Sequence, residues 1–241
     1  MPEPEQSSSR RRVVVNADDF GRSQAINAGV VDAHVHGIVT SASLMVRHPA
    51  APEAVAAARE HPELGLGLHL DLTEWERFEG TWRAKYDVVD TGDVDAVRQE
   101  IERQVESFRW LVGSDPTHLD SHQHVHRDEP VRSLALEAAA SLGVPLREHG
   151  RIRYCGAFYG QDRHGSSFPQ VIAAESLAAL LSELAPGDTE IGCHPAAAAE
   201  PFTSYSAERP LELQALCDAH VRRTIRECDI QLCNFTQMAH N

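Results

Sequence analysis

Residues 13–21 read VVVNADDFG. Val13 to Asn16 has the length and β-branching of a buried strand. It runs into two adjacent carboxylates, Asp18 and Asp19, and then a glycine. A helical pattern opens at Ser23, keeps Ile26, Val30, Val31 and Val35 in phase, and stops near Gly37. The same order of strand, polar end and helix then recurs along the chain. Further strands are expected over 38–46, 64–72, 117–126, 144–147, 189–193 and 230–235, alternating with helices over 52–60, 94–112, 129–142, 171–184, 211–216 and 219–227. Alternation of this kind implies an α/β fold with a parallel sheet covered by helices. About seven units with no linker between them favour a single-domain TIM-like (β/α) barrel, complete or a strand short, over an open doubly wound sheet. No GxGxxG turn follows the first strand, which counts against a dinucleotide fold.

Composition narrows the class of function. The chain has 241 residues, 42% hydrophobic and 24% charged, enough for one large domain with a full core. Its 22 basic and 36 acidic residues leave a net charge of -14, which repels phosphate backbones and makes nucleic acid an unsuitable partner. No apolar run approaches the roughly 18–20 residues that a membrane span requires. Residues 1–12, MPEPEQSSSRRR, lack the apolar centre of a secretory signal and read as a disordered tail, leaving 13–241 as the domain. The five cysteines form no CxxC pair and are odd in number, so neither a disulfide framework nor a cysteine zinc site is expected. Small buried thiols in a reducing cytoplasm are the simpler reading.

Residues 117–126, THLDSHQHVH, concentrate the chemistry. His118, Asp120, His122, His124 and His126 share even parity, so an extended backbone would project all five from one face. Imidazole and carboxylate together suit a divalent first-row metal and also carry protons near neutral pH. A surface histidine tract is the alternative, although a tag-like run would sit at a terminus. The other polar clusters also fall at the C-terminal ends of expected strands: Asp18-Asp19, His69-Asp71 and His194. In parallel α/β folds that edge is where active sites assemble. Each cluster has a structural reading as well. Asp18-Asp19 could cap the following helix, His69 could be a satisfied core histidine, and His194-Pro195 could simply end a strand.

The segment NADDFG from Asn16 resembles the YdjC-like carbohydrate deacetylase family, which includes chitooligosaccharide and hopanoid-associated deacetylases. Five further segments match in the family's order: GIVTSASLMV from Gly37, GLHLDLT from Gly67, THLDSHQHVH from Thr117, AFYG from Ala157 and EIGCHP from Glu190. Together they span the domain from residue 13 to about 235. The resemblance implies a metal-dependent hydrolase on a TIM-like barrel that removes N-acetyl groups from N-acetylated sugars. It implies Asp19, His69 and His122 as ligands of one divalent ion, Mg2+ or Zn2+, with Asp18 as catalytic base and His194 as general acid. His124 and His126 would then touch substrate or tune the metal, and His126 is the reserve ligand because His122 and His126 could form an i, i+4 pair.

Trp75, Phe78, Trp82 and Tyr86, in a stretch without clear periodicity, and Phe158 and Tyr159, in a loop over 148–169, could either face a sugar ring or pack their loops. Arg147, Arg151 and Arg153 could hold substrate groups or be solvated charges. Two rival functions remain: a metal-dependent hydrolase of another amide or ester, and a non-catalytic sugar-binding protein. A homodimer is compatible with the sequence, which does not specify an oligomeric state.

Overall fold

The computed structural model describes residues 10–162, 164–200 and 203–239. Residues 1–9 of the expected tail lie outside the described residues. The first strand, β1 (Arg11–Phe20), takes in Arg11 and Arg12, so the domain starts before residue 13. Both arginines are zipped into the sheet, opposite Gly187 and Asp188 on one side and Ile230 and Gln231 on the other. The Arg12 guanidinium donates a fork of 2.8 and 2.7 Å bonds to Asp188.

In chain order the elements are β1, α1 (Gln24–Val35), β2 (Ser41–Leu44), α2 (Ala51–Glu60), β3 (Gly65–Leu70), β4 (Thr73–Phe78), β5 (Thr81–Asp87), α3 (Val94–Val112), β6 (Leu119–Ser121), α4 (Val131–Leu142), β7 (Arg153–Cys155), α5 (Ala174–Glu183), β8 (Gly187–Cys193), α6 (Glu208–Leu216), α7 (Ala219–Glu227), β9 (Ile230–Leu232) and α8 (Phe235–Ala239). Seven strands form one parallel sheet in the order β6-β3-β2-β1-β8-β7, with β9 added to the start of β1. The architecture is the α/β, single-domain curled sheet expected, a partial barrel with its helices outside.

Val13, Val14, Val15, Ala17 and Phe20 of β1 have no exposed surface, as befits a parallel strand covered on both faces. Each buried valine contributes roughly 1.5–3 kcal/mol relative to exposure. The helices start and stop where the chain provides caps. The Ser23 hydroxyl accepts from the Ile26 amide, the Asp93 carboxylate accepts from Asp95 and Ala96, and Gly113 closes α3 at φ 90°. Val97, Ile101, Val105 and Phe108 form the buried stripe of α3, as their spacing predicts.

Several expectations change, among them the expected loop over 148–169, which contains β7, and the expected strand over 230–235, which ends at Leu232 before α8. The unpatterned stretch 73–92 contains an antiparallel hairpin, β4–β5, standing outside the main sheet. Residues 144–147 form no strand, and Leu146 alone makes isolated bridges, to Leu119 and to His149. The histidine run is not one strand: β6 ends at Ser121 and a 3₁₀ segment, His122–Arg127, follows. Gln123 and His124 take left-handed φ values of 50° and 55°, which breaks the even-parity alignment.

Candidate active site

At the C-terminal end of β1 the pairing with β2 slips between Ala17 and Phe20, placing three steps of β1 against two of β2. Asp19 sits in this bulge with φ 65°. Successive residues of a regular strand would point to opposite faces. The bulge lets both Asp18 and Asp19 line one cavity of about 420 Å³ at the rim of the sheet. His69 from β3, His122 from the 3₁₀ segment and His194, which follows β8, line the same cavity. All five residues singled out in the sequence are therefore brought together.

The two neighbouring carboxylates have different environments. Asp18 is gripped by Arg147, whose Nη1 and Nη2 each donate at 2.7 Å, and it also accepts from Asn16 Nδ2 at 2.9 Å. Burial pushes its pKa up, but the Arg147 guanidinium outweighs burial and brings it down to about 2. Asp19 accepts through Oδ2 from Arg209 Nη2. Its Oδ1 lies 3.0 Å from His122 Nδ1 and 3.5 Å from His69 Nε2, is buried, and makes no hydrogen bond. Burial opposes ionisation here too, yet Arg209, His122 and Arg22 hold Asp19 well below the usual carboxylate range.

His69 directs its other nitrogen, Nδ1, at Asp120 Oδ1, 2.7 Å away. Asp120 in turn accepts from Ser43 Oγ at 2.7 Å and pairs with Arg147 Nη2 at 2.8 Å. A carboxylate behind an imidazole fixes its tautomer and turns the opposite nitrogen's lone pair toward the site. Burial disfavours a charged His69, but Asp120, Asp18 and Asp19 prevail and push its pKa up to about 9. Surroundings that attract a proton this strongly attract a metal cation for the same reason. His122 presents Nδ1 to Asp19, while its Nε2 is 3.3 Å from Arg22 Nη1. Arg22 is held by both oxygens of Glu74 at 2.8 and 2.7 Å.

His194 Nε2 is 3.7 Å from Asp18 Oδ2, and the ring stands edge-on to Tyr159 and Tyr205. Burial pushes its pKa down to about 4, so it is neutral at neutral pH. Behind it, Glu212 accepts from the His194 amide and from the Tyr205 hydroxyl, and burial pushes Glu212 up to about 8.

The other residues of the run separate. His118 is fully buried against the Phe235 ring, with centroids 3.8 Å apart, away from the rim. His124 lines the cavity beside Tyr154. His126 does not join Asp19 and His69 and makes no helical pair with His122; Ser121 Oγ holds its Nδ1 at 2.5 Å. Asp71 is engaged instead by Arg47 at 2.8 Å and Tyr86 at 2.7 Å.

Sequence reasoning missed Arg22, Glu74, Arg209 and Glu212; the first two directly follow the NADDFG and GLHLDLT segments, and the last two lie on α6 with no local motif around them. For Arg147 the sequence left open a substrate contact or a solvated charge. In the fold the residue is buried, and its guanidinium serves Asp18, Asp120 and Glu190 together. The aromatics divide in a similar way. Phe158 is buried, whereas Trp82 is half exposed and reaches the cavity from β5.

The model of the family described as YdjC-like protein matches residues 12–227. The chain belongs to the YdjC-like family. A carbohydrate deacetylase of Brevibacillus brevis is 33% identical, over 94% of this chain and 99% of the relative. A chitooligosaccharide deacetylase of Salmonella typhimurium is 30% identical over 90% of this chain and 95% of its own length. Among solved structures, an Enterococcus faecalis protein described as a cellobiose-phosphate cleavage protein superposes with a TM-score of 0.75 at 26% identity, covering 95% of this YdjC-like chain and 99% of that one. A peptidoglycan N-acetylglucosamine deacetylase shares the fold with a TM-score of 0.60 at 13% identity, over 96% of this chain and 89% of that one.

Proposed function

We propose that this YdjC-like chain is a metal-dependent hydrolase that removes N-acetyl groups from N-acetylated sugars. The observation that carries the reading is the convergence of Asp19 Oδ1, His69 Nε2 and His122 Nδ1 beside an ionised Asp18. Donor atoms around a tetrahedral or octahedral ion of this size are about 3.0–3.4 Å apart, close to the 3.0 and 3.5 Å separations here. The buried Asp19 oxygen without a hydrogen bond is what a ligand carboxylate leaves for its ion. Two imidazoles and one carboxylate suit Zn2+ better than Mg2+, which prefers more oxygen. The names of the Brevibacillus and Salmonella relatives supply the substrate class.

A divalent ion on these three residues would supply Lewis acidity for the acetyl carbonyl and lower the pKa of water. Protein groups handle the protons. Asp18 is ionised and His194 is neutral at neutral pH, given pKa values of about 2 and about 4. The pair therefore enters the reaction able to accept a proton and with none to give. Asp18 takes the proton released by the attacking water and passes it to His194 Nε2, 3.7 Å away, which delivers it to the departing sugar nitrogen, so both groups return to their starting state. Arg147 locks Asp18 in place, and Tyr159 and Tyr205 confine the His194 ring. Trp82 offers a ring face at the cavity mouth for sugar packing.

Five unpaired cysteines fit the reducing cytoplasm proposed as the location. Among the described residues no helix is long and apolar enough to cross a membrane.

The test is acetate release from a panel of N-acetylated mono- and oligosaccharides and simple acetyl esters, with and without chelator. Chelator-sensitive release from an amino sugar, lost in Asp18→Asn, is expected. Release from esters alone would move the activity to another acyl substrate, and no release from any compound would contradict the hydrolase.

A further inference from the structure

Beyond the rim site, three donors of the same run and its neighbour are gathered at a second place. His124, His126 and Glu148 each offer one ligand atom, and these atoms lie within 4.8 Å of one another. Two of the nitrogens are buried and unsatisfied: His124 Nδ1 and His126 Nε2 make no hydrogen bond. His126 has no exposed surface at all, so its Nε2 cannot turn to water. A buried polar atom of this kind calls for a partner, and a coordinated cation supplies one.

The opposite nitrogens are both occupied, in the pattern that metal-binding histidines show. His126 Nδ1 meets Ser121 Oγ at 2.5 Å, and His124 Nε2 meets Tyr154 Oη at 3.3 Å. With those nitrogens donating to the hydroxyl oxygens, the inner lone pairs of both rings are free. The backbone is bent to arrange this. Gln123, His124 and Glu148 take φ values of 50°, 55° and 65°. The Gln123 amide is pinned to the Trp75 backbone by two 2.8 Å bonds, which holds the turn between His122 and His124. Strained φ values persist where surrounding structure over-determines them, and they cluster at functional sites.

We propose that His124, His126 and Glu148 form a second metal site, suited to Zn2+, beside Tyr154 at the edge of the cavity. Two imidazoles and a carboxylate make a three-ligand zinc set that leaves one position open. His126 Nε2 and Glu148 Oε2 are 3.9 Å apart and need to close by only about half an ångström to reach tetrahedral donor spacing. Arg127 is the resident competitor. Its Nε donates to Glu148 Oε2 at 2.6 Å while its Nη2 holds Oε1. An ion taking Oε2 displaces only the first bond, and the second continues to orient the carboxylate. The proposal does not depend on the deacetylase reading, since its ligands differ from Asp19, His69 and His122.

Zinc alone is the probe, with bound metal measured on the folded full chain after equilibration with excess Zn2+ and removal of free ion. His124→Ala and Glu148→Gln, both at partly exposed positions, should each hold about one equivalent less than wild type, and His122→Ala should lose a separate equivalent. Arg127→Ala should bind this zinc roughly tenfold more tightly, the scale on which outer partners tune affinity. Zinc content unchanged by both His124→Ala and Glu148→Gln overturns the second site. It does so whether or not His122→Ala loses its own equivalent, so the two sites are judged separately.

Discussion

His118 and His122 are four residues apart in the same run, yet they sit in different worlds. His118 is packed between Gly67 of β3 and the Phe235 ring, where a Cβ added at Gly67 would come within 2.3 Å of its Cε1. His122 faces Asp19 across 3.0 Å at the sheet's open end. Between them, Asp120 belongs to both regions. It is buried in the strand, but it sets the tautomer of His69. Where the backbone is regular, a histidine becomes core; where it leaves the strand with left-handed φ, a histidine becomes available for chemistry.

Removing Arg147 should produce the largest stability effect, because it is the counter-charge for the interior half. Arg147→Met strands Asp18 and Glu190 without their cation and leaves Asp120 only His69. Chemical denaturation should show a loss of about 3–5 kcal/mol, the usual cost of breaking a buried ionic cluster from one side. A loss under about 1 kcal/mol would mean that the interior carboxylates are not held as charges.

Gly67→Ala addresses His118 alone. The added methyl meets a rigid, stacked ring rather than a flexible tip, so overpacking should cost about 1–3 kcal/mol. Metal content should be unchanged. A combined loss of stability and metal would join the two regions that the comparison separates.

A smaller effect concerns pH. Burial pushes the His118 pKa down to about 4, against 6.5 for an unperturbed ring. The unfolded chain therefore binds a proton that the folded chain refuses between those values. The stability associated with neutral His118 is fully present above pH 6.5 and declines as pH falls toward about 4. Urea melts across this window should show a shallower decline for His118→Asn than for wild type. Equal slopes would place the histidine in contact with water.

Much of this division was legible in the residues. Val13–Val15 announced a strand covered on both faces, and the α3 periodicity located its buried stripe. Asp18, Asp19, His69 and His194 each lie at the end of an apolar run, which is enough to place them on one rim in a parallel sheet, and His122 was placed there with its polar run. The break after Ser121 was not legible, because alternating histidines satisfy a period of two whether or not the backbone stays extended. It depends on Gln123 bonding to Trp75, in a hairpin whose exposed aromatics carry no clean alternation. Arg209 and Glu212 were invisible for a related reason. They reach Asp19 and His194 from α6, a contact across some 190 and 18 residues that no local pattern records.

The most direct test of the divided run is the metal content of three proteins prepared side by side: wild type, His122→Ala and His118→Asn. His122→Ala should hold about one equivalent less than wild type, and His118→Asn, once shown to be folded, should hold the same amount. Undiminished metal in His122→Ala, or an equal loss from both variants, would contradict the assignment of the rim half as ligand and the strand half as core.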